Sequence, residues 1–203
     1  MAHRDDLLGS LMADETRTVE RTEDFGKDAP SKVNRWSLTA ERLREVIQYD
    51  PDTGKLTWRK RRAGVRFGAE AGCSWHRPDG RMSYRTVYVD GYFYRGHVLA
   101  WLYMTGEWPS GDVDHRDGDG LNNCWGNLRA ATRTQNNANQ RLAITNKTGI
   151  KGVSFCRATG RYKAQIHIDG KNKNLGRFHT IEEAGDAYAV AARRHFGEFA
   201  RLA

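Results

Sequence analysis

Four polar side chains within a short part of the chain have the chemistry to hydrolyse a phosphodiester bond. Such hydrolysis needs a base to activate water, a divalent cation to stabilise developing negative charge, and a group that holds the base in one tautomer. His115 can be the base, and Asn127 can hydrogen-bond its ring. Asp114 and the amide oxygen of Asn136 can bind a hard cation. Asn127 follows His115 by 12 residues and Asn136 follows Asn127 by 9, so a strand, a loop and a short helix could bring all four together.

The segment VDHRDGDGLNNCWGNL, which begins at Val113, has two simpler interpretations. A calcium loop of the EF-hand type fails, because placing Asp119-Gly120 at its fifth and sixth positions puts His115 at the first position and Gly126 at the twelfth. A solvated turn accounts for the Gly and Asp residues at 118–120 and for Asn122. It does not explain an Asp-His pair directly after an apolar valine.

Several elements must position these side chains. Thr39 can cap a short helix, and Asp90-Gly91 separates two β-favouring runs as a tight hairpin turn would. The apolar run HVLAWLYMTG predicts a buried helix that ends at Gly106. Thr132 and Gln135 form a capping box, which predicts a helix from about residue 133.

The last block of the chain has a clear alternation. In RYKAQIHI, alternate residues are apolar and polar, which indicates a half-buried strand. Asp169-Gly170 turns this strand into the next, and Thr180 with Glu183 forms a second capping box before an alanine-rich helix. We predict a three-stranded antiparallel sheet with one helix on one face and a polar open face.

Charge and composition restrict the class of protein. Residues 146–203 carry eleven Lys/Arg against five Asp/Glu, which favours an anionic polymer as partner. Three scattered cysteines argue against a disulfide framework and predict reduced thiols in the cytoplasm. The chain has no run of eighteen apolar residues, so no membrane span is expected. Residues 1–35 are polar and aperiodic, and we predict a mobile charged arm there.

The pattern V-D-H-x-D-G, N-N, N-L-R-x-A-T-x-x-Q-N resembles the phage and intron-encoded HNH homing endonucleases with the ββα-metal fold. The resemblance implies an α+β endonuclease domain at 36–145, with its motif core at 84–142. It implies His115 as general base, Asp114 as metal ligand and Asn127 as the residue that orients the base. The third motif position falls on Asn136, as in the subgroup with asparagine there. Asn137 and Asn139 are alternative ligands. His97 has either a structural role at a helix start or a phosphate contact.

The block at 146–203 resembles the Apetala/ethylene-response-factor DNA-binding domain, which also occurs on phage HNH nucleases. The shared features are the G-V opening, the A-x-I-x-x-x-G-K turn, L-G-x-F, E-E-A, A-Y-x-x-A-A and G-E-x-A-R-L. In that family the sheet lies in the major groove. The resemblance and the polar strand face together predict DNA contacts from Lys151, Arg157, Arg161, Lys163, Gln165, His167 and Arg177.

These observations predict a metal-dependent endonuclease that nicks or cuts double-stranded DNA. One divalent ion is expected, with Mg²⁺ as the default and Mn²⁺ as the alternative. Near the site, the arginines expected to grip phosphates are Arg129, Arg133 and Arg141. A phage-encoded monomer acting in the cytoplasm of a bacterial host cell is the simplest case, with a dimer as alternative. Two other hypotheses stay open: a DNA-binding regulator with an inactive nuclease module, and a protein directed at RNA.

Overall fold

The computed structural model describes residues 34–202, apart from 62, 63, 65 and 77–82. Almost all of the predicted mobile arm lies outside the described residues. The helices within them are α1 (Ala40–Val46), α2 (Gly96–Thr105), α3 (Arg133–Asn139) and α4 (Ile181–Phe196). The strands are β1 (Ile47–Tyr49), β2 (Leu56–Trp58), β3 (Cys73–His76), β4 (Ser83–Val89), β5 (Tyr92–Arg95), β6 (Asp112–His115), β7 (Leu128–Ala131), β8 (Val153–Cys156), β9 (Arg161–Ile168) and β10 (Lys171–Phe178).

The strands form small antiparallel sheets, in the orders β1-β2, β3-β4-β5, β6-β7 and β10-β9-β8. The predicted α+β class is confirmed: a ββα module is followed by a three-stranded antiparallel sheet with one packed helix. In the ββα module, β6 and β7 are the two strands and α3 is the helix. The predicted capping box of Thr132 and Gln135 is formed, with Thr132 as the N-cap. Helix α3 therefore begins at Arg133, the residue after the cap.

The part of the chain before β6 supplies the scaffold on which the ββα module rests. Asp90 and Gly91 adopt φ angles of 44° and 91°, as the predicted hairpin turn between β4 and β5 requires. Helix α2 ends at Gly106, which has a φ of 82° and caps the helix as predicted. One apolar cluster contains buried residues of α1, α2 and the strands β1, β2, β4 and β5. Val113 and Leu128 belong to the same cluster and so connect the ββα module to it.

The C-terminal sheet has one apolar face and one polar face. Ala164, Ile166 and Ile168 of β9 are buried in one apolar cluster with Ala184 and Tyr188 of α4. Directly paired residues of antiparallel strands share a face. The register therefore places the intervening residues of β9 and their partners on the open face, which carries Ser154, Cys156, Arg161, Lys163, Gln165, His167, Asn172, Asn174 and Arg177.

The C-terminal sheet and helix are packed against the ββα module. Ala131 of β7 and Ala138 of α3 belong to the same apolar cluster as the helix α4. Lys151 Nζ donates hydrogen bonds to the carbonyl oxygens of Ala138 (2.6 Å) and Gln140 (2.8 Å), at the end of α3. Helix termini leave such carbonyls without partners within the helix, so Lys151 completes the C-terminal end of α3. None of the helices in the described ranges is long and apolar enough to cross a membrane.

Candidate active site

The carboxylate of Asp114 lies at the centre of the ββα module. Asp114 pairs with Arg129 in the register of β6 and β7, so both side chains lie on one face of the ribbon. Arg129 Nε donates to Asp114 Oδ2 at 2.9 Å, and the side chains of Asp114 and Arg129 are only 5% and 7% exposed. Asn139 Nδ2, from the last turn of α3, lies 3.0 Å from each carboxylate oxygen and 2.7 Å from the carbonyl oxygen of His115. Asp114 is thus held from the neighbouring strand and from the helix.

His115 is oriented by Asn123, a residue for which the sequence did not predict a role in the site. His115 Nε2 lies 3.0 Å from Asn123 Oδ1, and the two residues are 3% and 2% exposed. Because an amide oxygen only accepts hydrogen bonds, Nε2 carries the proton in the neutral ring and Nδ1 keeps the lone pair. Burial lowers the pKa of His115, although Asn123 and the nearby carboxylates favour the charged ring. The neutral imidazole that a general base needs is therefore favoured.

Asn127 acts on the loop rather than on the His115 ring. Its Oδ1 accepts from the Asp117 backbone N–H at 3.1 Å, and its Nδ2 donates to Asp117 Oδ1 at 3.0 Å and to the Asn122 carbonyl at 2.8 Å. The hydrogen bond expected between Asn127 and the ring is thus made by Asn123 instead. Burial raises the pKa of Asp117, but the Asp119 N–H and the Asn122 and Asn127 amides outweigh it and lower the pKa. Asn127 holds the loop closed, and the loop holds Asn123.

Asn136 faces the same cavity as Asp114 and His115. The cavity has a volume of about 340 Å³. Asn136 Nδ2 donates to Asp112 Oδ2 at 2.9 Å, which leaves its amide oxygen available to a cation. Of the two alternatives, Asn139 presents its amide nitrogen to Asp114, and Asn137 is exposed and accepts a hydrogen bond from Gln140. The geometry therefore favours Asn136 over both as the second oxygen ligand.

His97 lies against the ring of His115. The ring centroids of His97 and His115 are 4.8 Å apart, and Tyr84 packs against His97 with centroids 5.4 Å apart. His97 Nδ1 is buried and has no hydrogen-bond partner among the described residues. Burial, together with His115 and Arg95, lowers the pKa of His97 well below its usual value. A neutral, enclosed ring favours the structural alternative for His97 over the phosphate contact.

The three arginines expected to grip phosphates are placed differently from one another. Arg133 and Arg141 line the cavity, and the side chain of Arg133 is largely exposed beside Asp112. Arg129 points inward: besides Asp114, its Nη1 donates to the Glu198 carbonyl oxygen at 3.1 Å, and its guanidinium lies 3.7 Å over the Phe199 ring. Arg129 is therefore engaged inside the protein, where no DNA strand reaches it.

The residues of the C-terminal block that are expected to contact DNA also fall into two groups. The open face of the sheet holds Arg161, Lys163, Gln165, His167 and Arg177, and Arg157 is exposed in the turn after β8. Lys151 is the exception, because its ammonium is directed at the end of α3 rather than at the sheet's open face.

The ββα arrangement, with an Asp-His pair ending its first strand, defines a class of nuclease, and the chain belongs to the HNH endonuclease family. The family model described as HNH endonuclease matches residues 94–138, which run from β5 into α3. The chain is 30% identical to protein 3.8 of Escherichia phage T7 over 123 residues, which are 60% of this chain and 98% of that protein. It is 34% identical to an uncharacterized HNH endonuclease of Acanthamoeba polyphaga mimivirus over 122 residues, 60% of this chain and 63% of that protein. No solved structure matches.

We expect Asn123→Ala to slow cleavage more than it weakens substrate binding. Without the amide oxygen the His115 ring loses the hydrogen bond that fixes its tautomer, and small misplacements of a catalytic group cost about 10- to 100-fold in rate. Steady-state kcat and KM on a defined substrate measure the effect. Asn123→Asp keeps an acceptor for Nε2 and should retain more of the rate. Wild-type kcat in Asn123→Ala would exclude this role for Asn123.

Proposed function

We propose that this member of the HNH family is a metal-dependent endonuclease of double-stranded DNA. The observation that carries the proposal is the cavity shared by a buried neutral histidine, a buried carboxylate and an amide oxygen, from His115, Asp114 and Asn136. Arg133 and Arg141 add positive charge to the same cavity, as a site for a phosphodiester requires.

Each residue of the site has a separate role in the proposed reaction. His115 Nδ1 takes a proton from a water molecule while Nε2 keeps its own proton against Asn123. The water then attacks the phosphorus in line with the leaving 3′ oxygen. Arg133 and Arg141 bind the flanking phosphates, and their exposed guanidinium groups suit that contact. Asn127 and Asp117 keep the loop, and therefore the ring, in position.

The donor set fits a single hard cation. A carboxylate has about four lone-pair sites, and the three hydrogen bonds to Asp114 leave room for a metal bond. No cluster of three or more His, Cys, Asp or Glu side chains occurs in the described part of the chain. Mg²⁺ keeps several waters and takes one or two protein oxygens plus phosphate oxygens, so Asp114 and Asn136 would suffice, with Mn²⁺ as a substitute. When bound, such an ion stabilises negative charge on the phosphate and the leaving oxygen.

The C-terminal block at 146–203 is proposed to attach the 36–145 nuclease domain to DNA. Its open sheet face carries five of the predicted contact residues and no carboxylate among the paired positions. The major groove of B-form DNA admits a two-stranded β-ribbon, such as the long strands β9 and β10 form. The same surface does not enter the narrow major groove of A-form RNA, which favours DNA over RNA as the target.

A plasmid-nicking assay tests the proposal. Purified protein should convert supercoiled plasmid to nicked or linear forms when Mg²⁺ or Mn²⁺ is present, and excess EDTA should stop the conversion. Plasmid that stays supercoiled with either ion, although the protein retards DNA on a gel, would instead show a DNA-binding regulator. The phage origin of one relative supports action inside a bacterial host cell. Mapping of cut sites on a phage genome tests a homing role.

Replacement of Lys163 by alanine should weaken DNA binding without loss of nuclease chemistry. Lys163 lies on the open face opposite Arg177, whereas Lys173 pairs with Ile166 on the helix side of the same sheet. Removing one phosphate contact reduces the slope of log K against log salt by about 1. Fluorescence anisotropy over a salt series should show the smaller slope for Lys163→Ala and the wild-type slope for Lys173→Ala. Equal slopes in the two variants would contradict the sheet-face assignment.

A further inference from the structure

The last residues of the chain reach into the nuclease site. The Glu198 carboxylate lies 2.7 Å from Arg116 Nη1 and 3.3 Å from Arg129 Nη1. The backbone carbonyl oxygen of Glu198 accepts a hydrogen bond from Arg129 Nη1, and the guanidinium of Arg129 stacks over the Phe199 ring. Arg201 Nη1 also donates to the carbonyl oxygen of Asp117, in the loop that carries Asn123. A segment that follows α4 therefore contacts both β7 and the active-site loop.

Arg129 connects this segment to the proposed metal ligand. Its Nε donates to Asp114 and its Nη1 faces Glu198, so one guanidinium is shared by two carboxylates. The Asp114 end of the contact is buried, whereas the Glu198 side chain is 60% exposed. The buried pair with Asp114 fixes the arginine, and the exposed Glu198 carboxylate adds a second negative charge beside it.

The charges around Asp114 determine how strongly a cation is attracted to its carboxylate. Asp114 and Arg129 alone form a neutral pair, and Arg116 adds a second positive charge close by. A divalent cation at Asp114 would be repelled by both arginines. Glu198 lies against both, and its negative charge offsets one of their two positive charges. Its carboxylate shares an arginine with Asp114 and need not touch the metal to affect it.

We propose that the segment Gly197–Leu202 is part of the nuclease site, and that Glu198 is a positioning residue that sets the affinity of Asp114 for a divalent cation through Arg129. This proposal rests on the proposed function, since it requires a cation at Asp114. The C-terminal block then has two functions: its sheet holds DNA, and its last residues adjust the metal site of the domain before it.

Direct binding of Mn²⁺ to the full chain tests the proposal without an activity assay. The signal of free Mn²⁺ in electron paramagnetic resonance falls when the ion binds protein. Glu198→Gln keeps the shape of the side chain and the backbone hydrogen bond, and it removes only the charge. Glu182→Gln is the matched control, because Glu182 is an exposed glutamate of the same block, in the first turn of α4. We expect Glu198→Gln to raise the Mn²⁺ dissociation constant roughly three- to tenfold, and Glu182→Gln to leave it unchanged.

Two further measurements separate positioning from a general loss of structure. The melting temperature of Glu198→Gln should stay within about 2 °C of wild type, because exposed ion pairs contribute little stability. In cleavage assays its half-saturating Mn²⁺ concentration should rise while KM for DNA is unchanged.

The outcomes distinguish this proposal from the function on which it rests. If wild type binds Mn²⁺, Asp114→Asn does not, and Glu198→Gln binds like wild type, the role of Glu198 is wrong and the metal site stands. If wild type and Asp114→Asn bind Mn²⁺ equally or not at all, the metal assignment fails and this proposal fails with it.

Discussion

Replacement of His115 by alanine should abolish cleavage and leave DNA binding intact. General base catalysis contributes about 10²- to 10⁴-fold in rate, and the described residues that line the cavity include one other histidine, His97. The Nδ1 of His97 is buried and has no hydrogen-bond partner among the described residues, so it is not placed to take a proton from water. Plasmid nicking and a gel shift on the same preparation measure the two properties separately.

His179→Ala is a suitable control for this variant, because His179 is an exposed residue just before α4 and outside the cavity. It should cleave at the wild-type rate. Cleavage by His115→Ala within about tenfold of wild type would transfer the role of base to another group. The variant His115→Ala/His97→Ala would then show whether His97 is that group.

The second large effect is expected at Asp114. If Asp114 is the proposed metal ligand, Asp114→Asn should eliminate cleavage, because the charged oxygen ligand is lost. It should also lower the free energy of unfolding by about 3 kcal/mol, because the buried Arg129 loses its buried carboxylate partner and keeps only the exposed Glu198. Chemical denaturation and the nicking assay measure the two losses.

A double variant separates the two consequences of losing Asp114. Asp114→Asn/Arg129→Met removes both charges and replaces the guanidinium with an apolar chain that can pack on Phe199. Replacing both members of a buried pair is often close to neutral for stability, so the double variant should regain most of the free energy of unfolding. It should not regain cleavage. Activity in the stable double variant would show that Asp114 serves the fold alone.

The fold was predictable from the sequence where local chemistry determines it. The two capping boxes, the Asp90-Gly91 turn and the alternation in β9 each depend on residues close together in sequence, and each is present in the structure. The relation between Asp114, His115 and Asn136 was likewise inferred from spacing. A strand, a loop and a helix of ordinary length leave few other ways to connect them.

The parts that could not be predicted depend on contacts between distant segments. The role of Asn123 depends on which asparagine of the loop points toward His115. The loop has five asparagine and aspartate side chains, and the sequence does not show which of them makes that contact. A signal was present in the pair Asn122-Asn123, since a solvated turn needs only one of them. Arg129 was expected at a phosphate because it lies close to the site residues in the sequence. Its partner Glu198 lies 69 residues further along the chain, where no local pattern connects the two.

The hydrogen bonds from Lys151 to the end of α3 have a consequence for the order of events during synthesis of the protein. Helix α3 has only seven residues, which is too short to be stable in isolation. The carbonyl oxygens at its end accept hydrogen bonds from Lys151, and Ala138 packs in the same apolar cluster as α4, so residues translated later complete its contacts. Domains generally fold as their residues leave the ribosome. A ribosome that has just completed α3 therefore carries a chain in which this helix has its contacts with β6 but not yet those with Lys151 and α4. We therefore expect the ββα module to reach its full stability after the C-terminal sheet and helix have been made.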